Sequence, residues 1–276
     1  TKSVVFENGA ALRLAELAGG LLGQNCLLIT DPGLRGLGRW DPAIADLETA
    51  GHAVTVFDAV EADPSRATLM QAVEAGRAAG ATGVIGFGGG SSQDVAKLVA
   101  LLLGSNEDLD SAWGVAQAKG PRLPLVLIPT TAGTGSEVTP VSIITVGDEE
   151  KRGVSSPVIL PDMAILDAEL TLGLPAHITA ATGVDAMVHA IEAYTTRLQK
   201  NPVSDALALA GLKKLHGAIE RACADGNDTG ARGDMSLGAL LAGQAFANAP
   251  VGAVHALAYP LGGVFHVPHG LSNSLM

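Results

Sequence analysis

The sequence predicts an α/β fold in which an N-terminal, doubly wound parallel sheet is followed by an all-helical domain. The first observation is a series of short runs that are apolar on both faces, as a parallel strand must be when helices cover both sides of its sheet. The second is that these runs stop near residue 173, after which long segments rich in Ala and Leu take over. The predicted strands are CLLIT (26–30), VTVF (54–57), GVIGFG (83–88), LVLIP (125–129) and AILD (164–167).

Helical segments separate the predicted strands and then fill the second half of the chain. Segments 41–51 and 65–80 have helical spacing, and each ends at a glycine suited to a C-cap. The alternation of strand and helix predicts a Rossmann-like domain at residues 1–173 and a helical domain at 174–276. The helices predicted for the second domain are 178–198, 202–224 and 232–249, with a solvated loop at 224–234.

Composition limits the partners that the protein can bind. Of the 276 residues, 47% are hydrophobic and 16% charged, which favours a well-buried globular protein. The net charge of −11 argues against nucleic acid and against an anionic membrane surface, so we expect a small-molecule partner. Two isolated cysteines, Cys26 and Cys223, argue against a disulfide framework and favour a reducing, cytoplasmic location. No membrane span or signal peptide is visible.

A glycine-rich loop directly follows the predicted strand GVIGFG. Gly88, Gly89, Gly90 and Ser91 stand between that strand and the helix predicted after it. Consecutive glycines let the backbone approach a pyrophosphate closely, and a helix amino terminus offers unpaired N–H groups to it. The loop departs from the G-x-G-x-x-G pattern, and a tight turn without a ligand is the alternative interpretation.

A second polar loop, PTTAGTGSEVTP, follows the strand LVLIP. A dinucleotide binds beyond the carboxyl ends of parallel strands, so two polar loops at one sheet edge favour such a ligand. Asp31, just after the first strand, is placed to accept from the adenosine ribose and would repel a 2′-phosphate, which favours NAD over NADP. A hydroxyl-rich loop that bonds its own backbone, and an ordinary Asp-Pro turn, remain the alternatives. The hydroxyls of the second loop belong to Thr130, Thr131, Thr134 and Thr139.

Carboxylate and imidazole side chains recur at spacings that suit a metal ion. Asp185 and His189 are four residues apart and share one face of a predicted helix in an apolar setting, where an unpartnered carboxylate would be costly. His255 and His269 can complete the set, but spacing alone leaves open whether His266, His269 or neither of them binds. One carboxylate with three imidazoles suits Fe²⁺ or Zn²⁺ rather than Mg²⁺ or Ca²⁺.

The motifs together resemble those of the iron-containing (group III) alcohol dehydrogenases. The likeness spans nearly the whole chain, in the order typical of that family. The motifs that carry it are GGGSSQDVAK, PTTAGTGSEVT, LPDMAILDAELT, TGVDAMVHAIEAY and HALAYPLGGVFHVPHGLSN.

The resemblance implies an NAD-linked enzyme that interconverts a primary or secondary alcohol with an aldehyde or ketone, with a metal polarising the substrate oxygen. A homo-oligomer is also expected. Asp31 would lie at the adenosine ribose. The metal ligands implied are Asp185, His189, His255 and His269, which decides between the two later histidines. The nucleotide residues implied are Gly88 to Ser91, Asp94, Thr130, Thr131 and Thr139.

The chain departs from the family pattern at two positions and in length. Tyr259 stands where many members have a histidine, and a phenol titrates far above an imidazole. Arg152 stands where members often have a cofactor-contacting lysine. Members continue beyond HGLSN, so the helical domain is expected to be incomplete at Met276.

Three rival functions are weighed against a dehydrogenase. A maleylacetate reductase can work without metal, but all four ligand positions are retained here. A lyase of the dehydroquinate synthase type needs several basic residues for a phosphorylated substrate, and residues 178–212 offer only Arg197 and Lys200. A non-catalytic NAD- or metal-binding protein is the third.

Overall fold

The computed structural model describes residues 1–147, 150–250, 252–265 and 267–276, without the side chains of residues 259, 263 and 264. The expectations for the Tyr259 side chain and for His266 therefore lie outside the described residues. Contacts divide the chain into two compact units, the first formed by residues 1–129 and 140–167 and the second by 130–139 and 168–276. In this division the segment 130–139 belongs with the helical unit.

A six-stranded sheet forms the centre of the first unit, and all its neighbouring strands are parallel. Its strand order is β1-β9-β6-β4-β2-β3, and a smaller sheet has the order β5-β8-β7. All five predicted strands are confirmed as members of the large sheet. The strands are β1 (Ser3–Phe6), β2 (Asn25–Ile29), β3 (Ala53–Phe57), β4 (Gly83–Gly88), β5 (Gly114–Val115), β6 (Leu125–Pro129), β7 (Val141–Val146), β8 (Glu150–Ser155) and β9 (Met163–Leu166).

The order of the large sheet reverses at β2. The chain runs outward from β2 to β3 and then crosses to β4 on the other side of β2. Ligands of doubly wound sheets bind beyond the carboxyl ends of the strands at such a switch point. Every residue of β4 and of β6 is buried, which explains why these strands read as continuous apolar runs.

The helices of the first unit connect its strands. Helix α4 ends two residues before Gly80, which has a positive φ of 58°, and α5 begins directly after Gly89. A buried core cluster of Val, Leu, Ile and Ala side chains lies between α4, α5 and the sheet. The helices are α1 (Gly20–Leu22), α2 (Pro32–Arg35), α3 (Asp41–Thr49), α4 (Arg66–Ala78), α5 (Gly90–Ser105) and α6 (Leu109–Ala112).

The sequence patterns missed four strands of the first unit. Strand β1 lies at the edge of the large sheet and is mostly exposed, so it lacks a two-faced apolar run. Strands β7 and β8 pair antiparallel in the small sheet, and β5, of two residues, joins its edge. Arg152 lies on β8 and forms an exposed ion pair with Glu150, with Nε 2.7 Å from the carboxylate.

Five helices follow residue 175 in the described part of the second unit. The predicted helix 202–224 is confirmed to the residue, while the predicted loop 224–234 is wrong at its end. Asp228 caps a helix that already begins at Thr229, because its carboxylate accepts from the N–H of Ala231 at 2.9 Å. The helices are α7 (Ala176–Thr195), α8 (Pro202–Ala224), α9 (Thr229–Asn248), α10 (Ala253–Phe265) and α11 (His269–Leu275).

Alanine and glycine build the core of the second unit. Its buried cluster consists mainly of alanines, which let helices approach closely despite the low aromatic content. A Cβ on Gly183 of α7 would lie 2.5 Å from the terminal methyl group of Met235 of α9, so a larger residue would force that side chain to move. Within the described residues, no single helix is long and apolar enough to cross a membrane. One bent pair, Thr229–Asn248 with Ala253–Gly262, meets that test by length and composition alone.

Candidate functional site

The glycine-rich loop lies at the carboxyl end of β4, at the switch point of the sheet. Gly88 ends the strand, Gly89 precedes α5, and Gly90 and Ser91 are the first residues of that helix. A Cβ on Gly88 would lie 2.6 Å from Oγ of Ser92, so only glycine fits between strand and helix there. The loop therefore presents the amino terminus of a 16-residue helix at the sheet edge where a phosphate is expected.

Asp31 lies beside this loop. It follows β2, the strand next to β4, and a Cβ on Gly88 would lie 3.3 Å from its Oδ2. Its Oδ1 accepts from the N–H of Leu34 at 3.1 Å and caps α2. One carboxylate oxygen is thus used for a local cap, as in an Asp-Pro turn, while the other faces the glycine loop.

Three buried polar atoms at this edge have no hydrogen-bond partner among the described residues. They are Oγ1 of Thr30, at the end of β2, and Oγ of Ser92 with Oε1 of Gln93, in the first turn of α5. All three residues are at most 1% exposed. Buried polar atoms are normally paired, so unpaired atoms concentrated at a switch point indicate a polar ligand there. The residues of this edge fit a dinucleotide phosphate.

Asp94 has a structural role within the first unit. Its Oδ2 accepts from the N–H of Ile143 at 3.0 Å, and its backbone carbonyl accepts from Oγ of Ser142 at 2.9 Å. Lys97, one turn later and fully buried, donates to the carbonyl of Val141 at 2.6 Å. The polar residues of α5 thereby tie that helix to strand β7.

The second polar loop packs within the helical unit. Thr130 and Thr139 are buried, and Thr131 and Thr134 are half-buried. Thr134 accepts from the N–H of Ser136 at 3.3 Å. The two glycines of the loop make close backbone contacts: a Cβ on Gly133 would lie 2.7 Å from Thr182 of α7, and one on Gly135 would lie 2.6 Å from Gly243 of α9. Close packing against α7 and α9 is therefore sufficient to explain why these two positions are glycines.

The predicted metal ligands of α7 share one buried helix face. Asp185 and His189 are separated by one turn, and both are nearly inaccessible to solvent. His189 stacks on Phe246 of α9, with ring centroids 4.5 Å apart. His255 lies on α10 and is also buried, whereas His269, the first residue of α11, is 43% exposed at its side chain.

The four predicted donors lie around Oδ1 of Asp185, and the ligand atoms of Asp185, His255 and His269 are all within 4.8 Å of one another. Oδ1 of Asp185 lies 3.9 Å from Nε2 of His189, 3.7 Å from Nε2 of His255 and 3.6 Å from Nε2 of His269. The Nε2 atoms of His189 and His255 are 2.9 Å apart. In a tetrahedral site with bonds of about 2.1 Å, neighbouring donors lie about 3.4 Å apart, so these separations are close to those of a metal shell.

Asn273 is a site residue that the sequence patterns did not single out. Its Nδ2 donates to Oδ1 of Asp185 at 2.5 Å and lies 3.2 Å from Nε2 of His255 and 3.3 Å from Nε2 of His269. An amide nitrogen has two hydrogens and cannot satisfy three acceptors, and the buried Oδ1 of Asn273 has no partner among the described residues. A cation would satisfy the carboxylate of Asp185 and the imidazole nitrogens that face it, so the donor set fits one. Its spacing of four residues from His269 on one helix was the available signal.

The pKa values of Asp185 and His189 are shifted in directions that favour binding of a cation. Burial acts to raise the pKa of Asp185, but His189, His269, His255 and the Asn273 amide together hold it below its ordinary value. Burial lowers the pKa of His189 to about 4 against the pull of Asp185, so this imidazole is neutral at neutral pH. An ionised carboxylate next to a neutral imidazole is the protonation state that metal binding requires.

Two family comparisons match the chain. The model of the family described as "Iron-containing alcohol dehydrogenase" matches residues 1–168, and that of "Fe-containing alcohol dehydrogenase family, C-terminal" matches residues 179–276. The chain therefore belongs to the iron-containing alcohol dehydrogenase family, as its motifs predicted.

Individual relatives are similar over nearly the whole chain. Long-chain-alcohol dehydrogenase 1 of Geobacillus thermodenitrificans is 43% identical over 256 residues, which cover 92% of this chain and 64% of that protein. The solved structure of a 1,3-propanediol oxidoreductase superposes with a TM-score of 0.95 at 37% identity and covers 99% of this chain and 71% of its own. A sulfoacetaldehyde reductase from Bifidobacterium kashiwanohense, solved in complex with NAD⁺, gives 0.90 at 30% identity, with coverage of 99% and 72%. The chain thus spans less than two thirds of the first of these relatives.

Proposed function

We propose that this chain binds a divalent metal and NAD and takes part in the interconversion of a primary or secondary alcohol with its aldehyde or ketone. The observation that carries the proposal is the convergence of Asp185, His189, His255 and His269 on one point. Family membership supports the reaction class, and relatives named as alcohol dehydrogenases support the substrate class.

We infer that the metal is Fe²⁺, with Zn²⁺ as the alternative. Imidazole and carboxylate ligands suit both ions, and the name of the family favours iron. A divalent cation held there would act as a Lewis acid on the substrate oxygen. The chain itself supplies a negative carboxylate and at least one neutral imidazole, and burial of three of the four ligands keeps water from competing for them.

The nucleotide site that we propose begins at the glycine loop. Gly88 to Ser91 would hold the pyrophosphate at the amino terminus of α5, and Asp31 would accept from the adenosine ribose and disfavour NADP. The NAD⁺ bound to a sulfoacetaldehyde reductase with the same fold supports that choice. Asp94 would contribute to the nucleotide site through its hydrogen bond to Ile143 of β7. Further contacts are proposed for Thr130, Thr131, Thr134 and Thr139.

The cellular setting is part of the same proposal. Both cysteines are free thiols, which supports a reducing compartment such as the cytoplasm. Assembly as a homo-oligomer is also proposed, and gel filtration with light scattering would measure it.

Metal removal and restoration test the function. The protein is stripped with a chelator, then reloaded with Fe²⁺ or with Zn²⁺, and formation of reduced nicotinamide is followed with a panel of alcohols. We expect turnover only after reloading, and the more active ion identifies the working metal. Equal turnover by the stripped protein would contradict the metal role and favour a reductase of the maleylacetate type. Binding of metal and NAD without turnover of any alcohol would contradict the enzymatic role.

A further inference from the structure

A carboxylate outside the donor set lies against the metal cluster. Glu192 is on α7, seven residues after Asp185 and three after His189, so it continues the same helix face. It is only 5% exposed. Its carboxylate faces Nδ1 of His255, the ring nitrogen that is turned away from the donor atoms.

Glu192 uses both carboxylate oxygens on the segment that carries His255. Oε2 lies 2.6 Å from Nδ1 of His255, and Oε1 accepts from the N–H of Val254 at 2.6 Å. A Cβ on Gly252 would lie 3.3 Å from Oε1, so the backbone before α10 also runs close to the carboxylate. The N–H of Val254 belongs to the first turn of α10, where the backbone donors of a helix have no partners within the helix. The side chain therefore caps α10 from a neighbouring helix.

The contact with Nδ1 decides which tautomer His255 adopts. An ionised carboxylate can only accept hydrogen bonds, so Nδ1 must carry the hydrogen and Nε2 must present its lone pair to the cluster. Among the described residues, no side chain pairs with the buried Nδ1 of His189, and the backbone of Gly133 is the group that acts on that ring. Two Nε2 atoms 2.9 Å apart need a shared proton or a cation between them, and Glu192 makes His255 the acceptor of the two.

We propose that Glu192 is a positioning residue for the metal centre: it fixes His255 in the Nδ1–H tautomer and holds the start of α10 against α7. This rests on the proposed metal site, but the tautomer can be tested without turnover. Carboxylate partners of ligating imidazoles set ring orientation and raise basicity, and their loss costs about 10- to 100-fold in metal affinity.

The variant Glu192→Gln tests the role with little change in volume. Its amide oxygen can still accept from the N–H of Val254, but its amide nitrogen would donate to Nδ1 of His255 and place the ring hydrogen on Nε2. We expect nitrogen NMR of the full-length, metal-free protein, above neutral pH, to change from Nδ1–H to Nε2–H for His255. Affinity for Zn²⁺, measured by competition with a chelator, should fall about 10- to 100-fold.

The control is Glu220→Gln, which removes the same charge from the exposed face of α8 and should leave both measurements unchanged. An unchanged tautomer, or Zn²⁺ affinity equal to wild type, in folded Glu192→Gln would overturn the proposal. If that variant does not fold, the wild-type spectrum decides alone, because an Nε2–H tautomer of His255 there would also overturn it. A protein that has the Nδ1–H tautomer and binds Zn²⁺ but oxidises no alcohol would overturn the enzymatic function while leaving the role of Glu192 intact.

Discussion

The glycine loop and the donor cluster form their proposed binding sites from different parts of the chain. The loop uses consecutive residues, and its chemistry lies in backbone N–H groups and in the lack of a Cβ at Gly88. The cluster uses side chains from three helices, and its contact between Asp185 and Asn273 joins residues 88 positions apart. Within the part of the chain that the structure describes, both contain buried polar atoms that have no hydrogen-bond partner. A local motif can therefore define an anion site, whereas this metal site depends on how helices pack.

Loss of one donor should separate the two regions most sharply. His269→Ala removes an imidazole from the cluster, and we expect metal affinity to fall by more than about 100-fold, beyond the range typical of outer partners. Dinucleotide affinity should stay within about twofold of wild type, because no loop residue of the first unit belongs to the donor set. Metal content and NAD titration by fluorescence measure the two effects.

The matched control is His216→Ala, which removes an exposed imidazole from α8 and should change neither property. Full metal binding by His269→Ala, or full turnover by that variant without metal, would break the comparison, since the cluster would then not be the metal site.

A Cβ in the glycine loop should give the converse result. Gly88→Ala places a methyl group 2.6 Å from Oγ of Ser92, and such overpacking costs about 1–3 kcal/mol. If the strain falls on the bound loop, dinucleotide affinity drops about 10- to 100-fold while metal affinity is unchanged. Isothermal titration with NAD measures the loss. Gly20→Ala is the control, because nothing lies within 4 Å of a Cβ at that position. Equal losses in the two variants would contradict the role of Gly88.

The smallest effect is expected at Asp31. Asp31→Asn keeps a side chain that can cap α2 but removes the charge beside Gly88. We expect the preference for NAD over NADP to weaken by about 5-fold, the size of a half-exposed charge interaction of ~1 kcal/mol. The ratio of the two dissociation constants measures it, with the exposed Asp41→Asn as control. An unchanged ratio would limit Asp31 to its capping role.

The elements that could be predicted from the sequence are those with a regular burial pattern, either continuous burial in strands or burial at helical spacing. Strands buried on both faces, such as β4 and β6, have no polar residue to interrupt the run. The edge strand β1 and the antiparallel pair of β7 and β8 have mixed burial, so that rule did not detect them. The loop predicted at 224–234 was too long because the cap at Asp228 starts the helix early.

The sequence allowed the four metal donors to be predicted, but not the residues that contact them. The helical spacing of Asp185 and His189 indicated a shared face, whereas the choice of His269 came from resemblance to a family. Neither signal gave the contact between Glu192 and His255 or the place of Asn273 among the donors. Both depend on how α7, α10 and α11 pack, and the four-residue spacing of Asn273 from His269 does not encode that packing. The roles of Gly133 and Gly135 in helix packing are hidden from sequence for the same reason.

X-ray absorption at the iron edge, on protein loaded with one equivalent of Fe²⁺, identifies the atoms that bind the metal. We expect a shell with three imidazole nitrogens and a carboxylate oxygen, and the loss of one imidazole in His269→Ala, as the proposed metal site requires. A shell made only of water and carboxylate oxygens, or one that is the same in wild type and His269→Ala, would contradict it.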